Sequence, residues 1–124
     1  MNLLKNSEID LMSPVGSFES LMAAIQAGAR SVYFGVGKLN MRSRSTVNFT
    51  IDDLHSISDI CRENRVNTYL TVNTVIYDEE IDEMHELLRA ASRCGISAII
   101  ASDVAVMQFA RQTGLEVHAS TQEN

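Results

Sequence analysis

Four times along the chain a short segment bearing glycine or asparagine hands over to a brief apolar run. Ala27-Gly28-Ala29-Arg30-Ser31 leads into Val32-Tyr33-Phe34, and Glu63-Asn64-Arg65-Val66-Asn67 into Thr68-Tyr69-Leu70-Thr71-Val72. Cys94-Gly95-Ile96-Ser97 leads into Ala98-Ile99-Ile100-Ala101, and Thr113-Gly114-Leu115-Glu116 into Val117-His118-Ala119-Ser120. Glycine and asparagine tolerate the left-handed backbone that ends a helix. Each handover therefore reads as a helix C-cap followed by a buried strand.

The segments upstream of these caps carry helical stripes. Phe18, Leu21, Met22, Ile25 and Ala29 fall on one face behind a Ser17 N-cap, and Ile51, Leu54, Ile57 and Cys61 on another behind Thr50. Ile81, Met84, Leu88 and Ala91 form a third stripe, entered through Asp78-Glu79-Glu80, whose charges suit a helix N-terminus. Val104, Met107, Ala110 and Gly114 form a short fourth, capped by Asp103, and residues 9–15 supply a strand in front. The order is β-α-β-α-β-α-β-α-β: an α/β chain of five parallel strands and four helices with right-handed crossovers. Periodicity alone leaves two architectures, an open flavodoxin-like sheet or the first half of a TIM-like (β/α) barrel, which typically needs about 250 residues.

Composition narrows the class. The 124 residues fit a single domain, 45% of them are apolar, and the sparse aromatics leave the core to Ile, Val, Leu, Met and Ala. Ten Lys and Arg against sixteen Asp and Glu give a formal charge of −6, which argues against nucleic-acid binding by bulk attraction. Two cysteines without a CxxC pair make neither a disulfide framework nor a four-ligand metal site; both Cys61 and Cys94 read as buried structural thiols. A run of about 20 apolar residues, as a membrane span needs, does not occur, and no signal peptide is recognisable. The expectation is a cytoplasmic protein without membrane partners.

In either architecture, sites gather at the C-terminal ends of the parallel strands. In the third strand Tyr69, Thr71 and Asn73 share a face; in the fifth, His118, Ser120 and Gln122 do. A strand covered on both faces should be apolar throughout, so this alternation points to a face lining a polar cavity, or else to satisfied polar groups at an edge. Asp103 closes the fourth strand. The long loop after the second strand, residues 35–49, carries Lys38, Asn40, Arg42, Arg44 and Asn48, either a clamp for phosphate or carboxylate or a solvated basic loop. A hydrolytic triad of Ser120, His118 and Asp103 lacks any nucleophile elbow, and Gly35-Val36-Gly37 lacks the third glycine of a dinucleotide fingerprint. His55 and His85 read as surface or boundary residues on helices.

The ordered set of strand ends resembles one family. Ser13-Pro14-Val15-Gly16-Ser17-Phe18-Glu19 with Ala23-Ala24-Ile25-Gln26-Ala27-Gly28-Ala29 is similar to the opening of peptidase family U32, the collagenase-like proteases. Val32-Tyr33-Phe34-Gly35, Asn40-Met41-Arg42, Asn48-Phe49-Thr50, Tyr69-Leu70-Thr71-Val72-Asn73-Thr74, Asp78-Glu79-Glu80 and His118-Ala119-Ser120-Thr121-Gln122 with Asn124 continue the likeness in register. The resemblance implies the first part of a TIM-like barrel, with residues 1–124 as one domain forming its N-terminal portion. Later strands and a cysteine-bearing signature would follow. It implies a peptidase, or an enzyme hydroxylating tRNA or rRNA bases or a ubiquinone precursor, with prephenate implicated in some members. A [4Fe–4S] cluster belongs to several members but to their later cysteines, so no cofactor is expected within this stretch. The family's motif positions fall on Asn40, Arg42, Asn73, His118, Ser120, Thr121 and Gln122.

The expected substrate-binding set is thus Asn40, Arg42, Asn73, Asp103, His118, Ser120 and Gln122, with no catalytic residue or metal ligand named. The leading expectation is an enzyme portion, inactive alone, that acts when full length on RNA, a peptide or a small anion. A self-sufficient flavodoxin-like binding module and an inactive truncated product are the alternatives. Unpaired edge strands imply a homodimer of the isolated chain.

Overall fold

The computed structural model describes residues 12–37, 49–75 and 77–120. Its elements are β1 (Met12–Pro14), α1 (Phe18–Gln26), β2 (Ser31–Phe34), a 3-10 turn (Ile51–Asp53) leading into α2 (Leu54–Glu63), β3 (Asn67–Val72), α3 (Asp78–Cys94), β4 (Ala98–Ala101), α4 (Val104–Gln112) and β5 (Glu116–Ala119). The five strands form one parallel sheet in the order β1-β2-β3-β4-β5. A flavodoxin-like sheet would instead run 2-1-3-4-5. Right-handed crossovers that always step the same way place every helix on the same face of the sheet.

Burial follows that geometry. Val32, Leu70 and Ile99 are fully buried and Phe34 nearly so, packed with Leu21, Leu54, Ile57, Leu88 and Val106 from the helices. Each such side chain contributes roughly 1.5–3 kcal/mol through removal from water. The alternate positions Tyr33, Tyr69, Thr71 and Ile100 are only half-buried, and His118 is exposed. The sheet thus has one helix-covered face and one face without helices among the described residues.

The expected caps at Ser17 and Asp103 accept from backbone N–H groups of their helices, whereas Thr50 precedes the 3-10 turn without a side-chain cap bond and Asp53 stands at the N-cap of α2. Ser17 Oγ accepts from Ser20 N at 3.1 Å, and Asp53 returns a carboxylate oxygen to Thr50 N at 2.9 Å. At α3 the Glu80 carboxylate accepts from Tyr77 N at 3.1 Å. Gly28, Gly95 and Gly114 take φ of 93°, 84° and 88° at the helix ends, as the repeated handover requires.

Three expectations are corrected. After α2 the left-handed residue is Arg65, at φ 58°, rather than Asn64. Asn64 keeps a negative φ and donates Nδ2 to the Ile60 carbonyl at 2.8 Å, so its side chain caps the helix while the next residue makes the turn. In α4 the buried positions are Val106 and Ala110, with Val104 62% exposed, because the capping Asp103 fixes the helix phase and turns Val104 outward. The first stripe is also thinner than expected. Leu21 is buried, but Phe18 and Met22 lie at the rim, where Phe18 meets Phe49 edge-on at 5.2 Å.

Between β3 and β4 two side chains replace part of the ladder. Ser97 N donates to Thr68 Oγ1 and Thr68 N donates to Ser97 Oγ, both at 2.9 Å. This exchange satisfies a buried threonine beneath the helices (3% exposed).

Candidate functional site

The face without helices is built from alternate strand residues. Register sets Tyr33 beside Tyr69, and Thr71 beside Ile100 beside His118. The Tyr69 and His118 rings meet edge-to-face, 5.5 Å between centroids and 62° between planes. His118 Nε2 lies 3.0 Å from Glu116 Oε2, two residues back on the same strand face, with both side chains substantially exposed. That contact fixes one ring nitrogen and leaves Nδ1 for another partner.

The expected residues fall at the same sheet end wherever they are described. Asn73 follows β3 and is exposed, Asp103 follows β4, and Ser120 follows β5, so three neighbouring strands end in polar groups. Ser120 N extends the ladder by donating to the Ala101 carbonyl at 2.9 Å. The carboxylate of Asp103 works inside the fold. Oδ1 accepts from Ala105 N (2.8 Å) and Val106 N (3.4 Å), and Oδ2 accepts from Val75 N at 3.0 Å. These donors, Val75 foremost, hold its carboxyl below the usual carboxylate value; partial desolvation opposes them, and Ala105 and Val106 add to the lowering. Asn40, Arg42 and Gln122 lie outside the described residues, as does Thr121.

The described residues that precede and follow 38–48 meet at this end. Val36 bridges Phe49, Gly37 N donates to the Phe49 carbonyl at 2.8 Å, and the Phe49 ring meets Phe34 edge-on at 5.6 Å. Thr71 Oγ1 donates to the Phe34 carbonyl at 3.2 Å. A side chain at Gly35 would press on that hydroxyl at 3.3 Å.

Sequence reasoning left Tyr33 and Glu116 out of the site. Tyr33 is two residues from Gly35, but only the parallel register reveals that it stands beside Tyr69. Glu116 was legible as the i−2 neighbour of His118, because period two places both on one face.

Cys61 is buried and its thiol is pushed up to about 11 by desolvation, whereas Cys94 is half-buried, more open than expected at the last residue of α3. His55 is exposed and pairs with Asp59 at 3.3 Å, while His85 stacks on Phe109 at 3.9 Å. Among the described residues no group of three or more His, Cys, Asp or Glu converges. No described helix is long and apolar enough to cross a membrane.

Comparison with known proteins adds a family to this geometry. Residues 16–124 match the profile described as Peptidase family U32. A collagenase of Porphyromonas gingivalis (strain ATCC BAA-308 / W83) is 60% identical over 118 residues, 95% of this chain and 28% of that protein. An uncharacterized protease of Methanocaldococcus jannaschii is 38% identical over 94% of this chain and 28% of its own length. The tRNA hydroxylation protein P1 of Bacillus subtilis (strain 168) is 28% identical over 93% of this chain and again 28% of its own. The chain therefore spans just over a quarter of each of these relatives.

Proposed function

The chain belongs to peptidase family U32, and from that membership we propose that it forms the N-terminal part of a (β/α) barrel enzyme acting on a planar, ring-bearing substrate. In this reading the face without helices is the inner wall of the barrel. The carrying observation is its aromatic row, in which Tyr33 stands beside Tyr69 and Tyr69 meets His118 at 5.5 Å. Rings so placed offer a stacking surface to a nucleobase, an interaction worth roughly 1–3 kcal/mol per base. Asn73, Ser120 and Gln122 supply hydrogen bonds at the rim, and Arg42 with Asn40 binds the substrate's anionic portion. The likeness to a tRNA hydroxylation protein makes a base in tRNA the first substrate to test.

This part alone is inactive in our reading, and a [4Fe–4S] cluster, where present, is held by cysteines outside these 124 residues. Peptide hydrolysis is the second reading, favoured by 60% identity to a protein called collagenase. The deciding experiment deletes the gene and compares tRNA nucleosides by mass spectrometry, with the full-length gene product assayed on gelatin in parallel. Loss of a hydroxylated nucleoside, restored by the wild-type gene but not by Tyr69→Ala, supports base modification. Unchanged nucleosides with gelatin cleavage by the purified protein would move the assignment to proteolysis.

A further inference from the structure

A cavity of about 330 Å³ opens at the opposite end of the sheet, between α2 and the start of β3 and beneath the turn at Gly95. Its lining is mostly polar, with Arg62 and Arg65 at the α2 terminus, Ser58 on α2, and Asn67, Thr68 and Ser97 at the strand starts, around an apolar patch from Cys61 and Val66. We propose that this cavity is a binding site for a phosphate group. It is independent of the substrate reading above.

The donor inventory carries the proposal. Arg62 spends one nitrogen on Asp59 Oδ1 and another on Ser58 Oγ, both at 3.2 Å. A guanidinium has five N–H groups, so donors of Arg62 remain. Arg65, an exposed residue, lines the cavity as well and brings a second guanidinium to its surroundings. Thr68 and Ser97 accept from each other's backbone N–H and lie 3.2 Å apart, hydroxyl to hydroxyl. One hydroxyl proton serves that contact and the other is left to donate.

Helix C-termini ordinarily repel anions through their free carbonyls. Here two of those carbonyls are already capped. Ser58 Oγ donates to Cys94 O at 2.6 Å, and Asn64 Nδ2 to Ile60 O at 2.8 Å. The cavity is thus lined by two arginines and by a hydroxyl pair with one proton to spare, residues whose donors match phosphate. Arg65 is also held at φ 58°, a conformation that costs a non-glycine residue about 1–2 kcal/mol. A turn needing only that backbone would be better served by glycine or asparagine; an arginine there gives a lining residue of the cavity a positive charge. The volume sits at the lower end of small-ligand pockets, about 300–1,000 Å³, so a phosphate fits together with part of its carrier.

Calorimetric titration of the chain with inorganic phosphate at constant ionic strength tests this, with uridine 5′-monophosphate and uridine as the arms that separate a free anion from a nucleotide. Saturable binding of phosphate or the nucleotide, but not of uridine, is the expected result. Arg65→Gly and Arg65→Asn both tolerate a left-handed backbone, so they should hold or raise the melting temperature while weakening phosphate binding at least tenfold. Arg62→Gln should weaken it comparably. Absence of saturable binding by the wild-type chain overturns the proposal, as does affinity unchanged in the Arg62→Gln/Arg65→Gly double variant.

Discussion

Removing the Asp103 carboxylate should destabilise the fold by about 2 kcal/mol, through two contacts that can be separated. One oxygen caps α4 on Ala105 and Val106, and loss of such a cap costs about 1 kcal/mol. The other holds Val75 N at 3.0 Å, tying the segment after β3 to the start of α4. Asp103 is only half-buried, so that charge-assisted bond is taken at about 1 kcal/mol rather than its fully buried worth. Asp103→Ala loses both. Asp103→Asn keeps a good cap through its carbonyl oxygen but turns an amide N–H₂ toward Val75 N, so it should lose about 1 kcal/mol. For a chain of 124 residues these correspond to melting shifts on the order of 6–10 °C and 3–5 °C, read by far-ultraviolet circular dichroism with urea titrations alongside. Acid sharpens the test. The folded carboxyl lies below its ordinary value of 3.8, so the unfolded chain binds more protons and stability rises with pH through that interval. The contribution is complete above the unfolded value and disappears as pH falls through the lowered folded one. The wild-type advantage over both variants should therefore narrow below about pH 4. Equal losses for Ala and Asn, or a gap that persists unchanged in acid, would refute the two-contact account.

Other perturbations probe the thiols, a helix end and the sheet edges. With its thiol pushed up to about 11, Cys61 should resist alkylation at pH 8 until the chain unfolds, while half-buried Cys94 reacts first; peptide mass mapping of a timed iodoacetamide reaction checks the order. Gly95→Ala should cost about 1–2 kcal/mol in urea titrations through its φ of 84° alone, since an added Cβ meets nothing nearer than 3.5 Å. The isolated chain should self-associate at micromolar concentrations through β1, β5 or the uncovered face, and a monodisperse monomer in sedimentation equilibrium would contradict this.

Strand and helix order were legible because each unit is punctuated locally: a cap, a stripe and a left-handed turn lie within a few residues of one another. Helix phase was less so. Spacing alone could not choose between Val104 and Val106 as the inward position, because both belong to apolar runs and the Asp103 cap decides between them. Asn64 and Arg65 show the same limit, since a side-chain bond to Ile60 O moved the turn by one residue. Within the site, Asn73, His118 and Ser120 could be placed at one sheet end from alternation, whereas Tyr33 required knowledge of which strands adjoin. The internal engagement of Asp103 with Val75 spans 28 residues of sequence, and no local pattern announces a contact of that range.

The Thr68–Ser97 exchange has a consequence for how neighbouring strands find their alignment. Parallel strands are joined by a helix rather than a tight turn, so no hairpin geometry dictates which residue stands opposite which. A shift of a single residue between β3 and β4 would separate each backbone N–H from the hydroxyl it meets at 2.9 Å, breaking two bonds at once. It would also move Ile100 out from between Thr71 and His118, and so misalign the upper ends of three strands. The pair behaves as an indexing pin: set at the foot of the sheet, it determines what meets at the top.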